Sequence, residues 1–137
     1  MFSSSIDLSP LRKALAQLRE ALDFWHARAE GDALKPHLRS AVIQSFEFTY
    51  ELAIRSTRRV LIERAEASDL VSDLSFNDLL RRALDAGLPM PLDTWRHWRD
   101  MRNATSHAYN EDRANEVALA AADFVADVTL LLKALEA

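Results

Sequence analysis

Within eight residues, Arg102-Asn103-Ala104-Thr105-Ser106-His107-Ala108-Tyr109 collects a permanent cation, a neutral amide, hydroxyls, an imidazole and a phenol. Arg99, Arg102, Asn103, Ser106 and His107 stand three and four residues apart, so a helix gathers them on one face with His107 at its fraying end. An arginine forks onto a phosphate. An imidazole takes or gives a proton near neutral pH. Together they are equipped for metal-free acid and base chemistry on a phosphate ester. The same residues also suit a helix C-terminus in which Arg102 and His107 hydrogen-bond the last carbonyls and favour the helix dipole.

Other groups have plainer explanations. Ser106 beside His107 is not a serine-nucleophile signature, because adjacency in sequence does not aim an imidazole at a hydroxyl. His26, His37, His97 and His107 form no HExxH frame and no carboxylate-paired metal spacing, so no metal and no cofactor is expected. Cysteine is absent, which excludes disulfides and thiolate chemistry. Glu47 and Glu51 share a helix face as solvated charges do. Arg55, Arg58 and Arg59 read as an ordinary charged face alternating with Glu51 and Glu63. Phe46, Phe48 and Tyr50 read as core or subunit contact.

The elements that position the segment are helical. Ser9 reads as an N-cap with Pro10 at the first helical position, and Leu11, Leu15, Leu18, Leu22 and Trp25 carry a first helix to about Ala29. Glu30-Gly31-Asp32 breaks it. From His37 to Ala67, apolar residues from Val42 to Leu61 keep helical rhythm and predict a long central helix. Ser68 to Ser75 reads as a loop, and Ser75 with Asp78 as the cap of a short helix that Gly87 and Pro89 stop. Asp93 or Thr94 caps a fourth long element holding Trp95, Trp98, Met101 and Arg102. Tyr109 to Asp112 is a turn, followed by a last helix over about Asn115 to Leu135. No period-two strand pattern occurs. The expected fold is all-α: an antiparallel, up-and-down four-helix bundle with one additional short helix.

The chain has 137 residues, 49% apolar and 28% charged, which fits one domain, 1–137, with a core over about 10–135. No apolar run approaches the roughly 20 residues needed to cross a membrane, and Met1-Phe2-Ser3-Ser4-Ser5 carries no secretory pattern, so the expected location is cytoplasmic. The net charge of −4 argues against a broad nucleic-acid-coating surface and leaves room for a local basic site. Arginine outnumbers lysine fourteen to three, a bias that high-GC codon usage also produces.

Arg102-x4-His107-x-Tyr109 on the penultimate helix resembles the motif of HEPN proteins of the HepT-like branch. Ile43-Gln44-Ser45-Phe46-Glu47-Phe48-Thr49-Tyr50-Glu51-Leu52 independently resembles the IQxFEFTxEL stretch of the nucleotidyltransferase substrate-binding group. Ala86-Gly87-Leu88 precedes the Arg102 phrase in that group's order, and the similarity spans about residues 10 to 135. The resemblance implies a helical homodimer with both motifs lining one cleft, metal-independent cleavage of RNA, and Arg102 and His107 as catalytic residues, supported by Asn103, Ser106 and Arg99. It also implies a minimal nucleotidyltransferase antitoxin as partner, which transfers AMP to Tyr109 and silences a toxin. Ala108 stands where many relatives have threonine, at a variable position. The alternatives are a non-catalytic subunit that binds nucleotide or substrate for the transferase, and a purely structural bundle.

Overall fold

Six α-helices and no strand form among the described residues, which are 6–65 and 68–137 of the computed structural model. Met1 to Ser5, on which the expectation of no secretory pattern rests, and the last two positions of the expected central helix, 66 and 67, lie outside them. The helices are α1 (Ser9–His26), α2 (Lys35–Arg64), α3 (Ser68–Ser72), α4 (Phe76–Asp85), α5 (Leu92–Ala104) and α6 (Glu111–Glu136), and a 3-10 turn at Thr105–His107 follows α5.

Side-chain bonds fix the topology. Arg12 on α1 bonds Glu136, and Arg19 bonds Thr129, so α1 runs opposite to α6. Arg39 bonds Asn115 while Phe46 meets Phe124 further along, so α2 and α6 run the same way. On the α5 side, the Met90 sulfur just before the helix lies against Thr57 and Arg102 against Glu51, which makes α5 antiparallel to α2. The result is the expected up-and-down bundle of α1, α2, α5 and α6, with α3 and α4 as two short helices where the sequence predicts one.

The aromatic centre of the core couples three of these helices. Phe124 of α6 meets Phe46 of α2 edge-on at 4.7 Å between centroids, Trp98 of α5 at 5.2 Å and Trp95 at 6.0 Å. Such edge-to-face contacts add about 0.5–1.5 kcal/mol each beyond the area buried. Trp98 Nε1 donates to Asp127 at 2.8 Å, which gives its polar end a partner on α6. Trp95 Nε1 is buried without a partner among the described residues.

Helix ends depart from the predicted boundaries for local reasons. The N-cap of α1 is Leu8, which has no side-chain cap bond, and not Ser9; ahead of it Asp7 Oδ1 accepts from Ser9 N at 2.9 Å, and that backbone bond holds the Asp7 carboxyl below the usual range. The first helix stops at His26, short of Ala29, and Lys35 Nζ reaches back to the carbonyls of Trp25 (2.6 Å) and Arg28 (2.8 Å). The Trp25 carbonyl also accepts from Arg28 N at 3.3 Å, so the ammonium reinforces a helix end that the backbone has begun to close. No side chain caps α5; its start follows Pro91, and Asp93 lies inside the first turn. The last helix starts at Glu111, four residues early, because Asn110 Oδ1 accepts from Asp112 N (2.9 Å) and Arg113 N (3.3 Å). Gly87, at φ +87°, ends α4 with paired bonds from Gly87 N to Leu84 O and Leu88 N to Ala83 O.

Two sequence expectations are corrected by packing between elements. The stretch 68–75 is not all loop, since Ser68–Ser72 is helical and Val71 is buried. Arg58 belongs to no solvated face: its Nη1 donates to the carbonyls of Val71 and Leu74, both at 3.0 Å, and so clasps the α3 to α4 turn.

Replacing Phe124 by Ala should destabilise the fold by about 3–5 kcal/mol, because the residue is fully buried and its neighbours sit on two other helices. Urea denaturation followed by far-UV circular dichroism measures the loss.

Candidate functional site

The last turns of α5 carry the segment singled out in the sequence. The i to i+4 bonding of α5 tightens into the 3-10 turn at Thr105–His107. That change of pitch turns Thr105 inward, where it is buried, and leaves Ser106 and His107 exposed. Ala108 N then bonds Thr105 O, and Asn110 N bonds His107 O, before Asn110 caps α6. His107 and Tyr109 are therefore held in a short span pinned at both ends. Their rings lie 6.1 Å apart, edge to face, and Tyr109 is 85% exposed.

Arg102 points across the bundle toward α2. Its Nε donates to Glu51 Oε1 at 2.9 Å, its Nη1 donates to Thr105 Oγ1 at 3.0 Å, and Nη1 lies 3.8 Å from Glu47 Oε2. Thr105 Oγ1 in turn donates to the Arg102 carbonyl at 2.7 Å, which closes a small loop of bonds at the end of α5. Beside the guanidinium runs an open groove of about 410 Å³ lined by Glu47, Phe48, Glu51, Leu52, Arg55 and Arg102. Phe48 projects from α2 at 56% exposed, while its neighbours Phe46 and Tyr50 are core.

The five residues predicted to share one face do not converge on one volume. Arg99 turns away and stacks its guanidinium 4.7 Å from the centre of the Phe76 ring on α4. Ser106 Oγ donates to the Asn103 carbonyl at 2.8 Å, an intrahelical bond. Asn103, Ser106 and His107 line the solvent side of the turn and not the groove beside Arg102. Among the described residues no three histidine, aspartate or glutamate side chains converge as metal ligands, and no helix is long and apolar enough to cross a membrane.

Sequence reasoning missed the two carboxylates. Glu47 and Glu51 face Arg102, half-exposed, instead of standing free in solvent. Their four-residue spacing was the available signal, but spacing within one helix does not say which helix lies opposite.

Residues 6–137 match the protein family described as nucleotidyltransferase substrate binding protein like. The chain belongs to that family. A curated relative from Haemophilus influenzae, named "Probable ribonuclease HepT", is 39% identical over 96 residues, which is 70% of this chain and 66% of the relative. A solved Haemophilus influenzae structure, described as having the fold of a substrate binding domain of a nucleotidyltransferase, superposes with a TM-score of 0.87 at 31% identity. It covers 96% of this chain and all of that one. The bundle of this chain is thus the fold of that solved structure as well.

Tyr50 offers a physical probe next to the carboxylates of this family member. Burial pushes its phenol up to about 12 from 10.0, with Arg99 pulling the other way. The folded chain therefore keeps Tyr50 neutral at a pH where the unfolded chain ionises it. The stability this confers is full below about pH 10 and is lost as the pH rises through 12. Between pH 9 and 11 the wild type should lose about 1 kcal/mol more than Tyr50→Phe, measured by chemical denaturation of both proteins.

Proposed function

We propose that this chain is the RNA-cleaving, toxin-like component of a toxin and antitoxin pair, acting as a homodimer and controlled by a minimal nucleotidyltransferase. The observation that carries the proposal is that the end of α5 and the turn after it hold both a partly exposed Arg102 and an exposed His107, five residues apart on one chain segment. The likeness to a relative named as a ribonuclease supports it.

The chemistry requires only what these residues provide. RNA supplies its own nucleophile, the 2′-hydroxyl. One His107 imidazole takes that proton as the 2′-oxygen bonds to phosphorus, and the phosphorus bond to the 5′-oxygen breaks. The His107 imidazolium of the second copy protonates the leaving 5′-oxygen, which yields a 2′,3′-cyclic phosphate and a 5′-hydroxyl. Arg102 stabilises the charge that builds on phosphorus. Asn103 and Ser106 are neutral donors on the solvent side of the turn, next to His107, and Arg99, stacked on Phe76, adds only positive charge at a distance. The copies divide acid from base, so the site is complete only in the dimer.

Silencing follows from Tyr109. Its phenol oxygen attacks the α-phosphorus of a nucleoside triphosphate held by the transferase, a phosphorus–oxygen bond forms, pyrophosphate leaves, and the phenol proton passes to solvent. The attached phosphate and nucleoside stand next to His107 and bring a negative charge and bulk to the path of the RNA.

Purified wild type should cleave single-stranded RNA with a chelator present, while His107→Ala should lose at least about a hundredfold in rate and arrest of growth with it. Intact mass after co-expression with the transferase should rise by adenylyl groups in wild type and not in Tyr109→Phe. A wild type that leaves RNA intact, and behaves as His107→Ala in cells, overturns the proposal. The description of the solved relative as a substrate binding domain favours a second reading, a non-catalytic subunit of the transferase. There Arg102→Ala lowers nucleotide affinity of the complex, and no protein in the series cleaves RNA.

A further inference from the structure

Glu51 and Glu47 have no part in the proton transfers above, yet they are the anions that Arg102 touches. Glu51 takes the Nε side of the guanidinium, while Thr105, on the 3-10 turn, takes Nη1. Among the described residues nothing accepts a bond from Nη2. A planar group with five donors is thereby held at two of its nitrogens, and Nη2 is left without an acceptor among the described residues. The side chains of Arg102, Glu51 and Glu47 are 31%, 51% and 34% exposed, so all three are open to an arriving ligand.

We infer that Glu51 is a positioning residue for Arg102, and that with Glu47 it is an internal counter-anion with which a substrate phosphate competes; this rests on the ribonuclease reading of the same site. Two effects of opposite sign follow. Holding Nε fixes the direction in which the Nη corner faces, which favours turnover. Two carboxylates near the same guanidinium compensate its charge in advance, which weakens the hold on any phosphate, product included.

Two substitutions separate the effects. Glu51→Gln keeps an oxygen that accepts from Nε and removes the charge. Glu51→Ala removes both. The probe for binding is a fully 2′-O-methylated RNA oligonucleotide, which has no nucleophile, followed by fluorescence anisotropy; turnover is read on the matching unmodified RNA. Glu51→Gln should bind the probe about two- to fivefold more tightly than wild type, in keeping with a half-exposed ion pair, with kcat little changed. Glu51→Ala should lower kcat about tenfold or more through misplacement of Arg102, and the Gln variant should restore it. If both variants bind and cleave as wild type does, or differ from it only in Tm, the inference is overturned while the nuclease reading stands. Tighter binding by Glu51→Gln without cleavage by any variant supports the counter-anion and overturns the nuclease. No probe binding by any of the three proteins overturns both.

Discussion

Phe124 lies where α2, α5 and α6 meet, and its ring is in edge contact with Phe46 on one side and Trp95 and Trp98 on the other. Helix packing is close-fitted, so these rings set both the distance and the axial register of α5 against α2. Arg102 follows Trp98 by one helical turn, and Glu47 and Glu51 follow Phe46 along α2. The meeting of guanidinium and carboxylates is therefore dictated by aromatic packing one turn deeper in the molecule. A shift of one turn between the helices would leave three charged groups without their partners. The core and the polar site are in this sense one construction.

The charge balance of the chain sharpens what such a site has to do. With a net charge of −4, the molecule gains little from a general attraction to polyanions. Recognition of a phosphate then falls on a few arginines, and their individual engagements differ. Arg58 is committed to backbone carbonyls and Arg99 to an aromatic face, while Arg102 is partly exposed and its Nη2 has no acceptor among the described residues. The arginine bias of the composition thus divides into structural and exposed members that counting does not distinguish.

The long helices were legible because their burial is periodic: Val42, Phe46, Tyr50, Ala53 and Val60 repeat as the core face of α2 and are buried as such. Where a boundary is set by a side chain that precedes the helix, the pattern misleads. Asn110 starts α6 before its first strongly apolar residue appears. The short helix Ser68–Ser72 has too few residues to hold itself, and takes its order from Val71 in the core and Arg58 on the turn, neither of which is local. The site divides in the same way. Arg102 and His107 stood out by type and spacing, whereas the partners of Arg102 come from a helix some fifty residues away, and the stacking of Arg99 on Phe76 rests on the path of α4.

Arg58 gives the α3 to α4 excursion a character of its own. One guanidinium from the long helix bonds carbonyls on both sides of the turn, at Val71 and at Leu74. Around that bond Val71, Leu79, Leu80 and Ala83 are buried, Arg96 Nε donates to Asn77, and Arg99 stacks on Phe76. The excursion is therefore sewn to α2 on one side and to α5 on the other. Strain or insertion in it reaches α5 at Arg96 and Arg99, within two helical turns of Arg102.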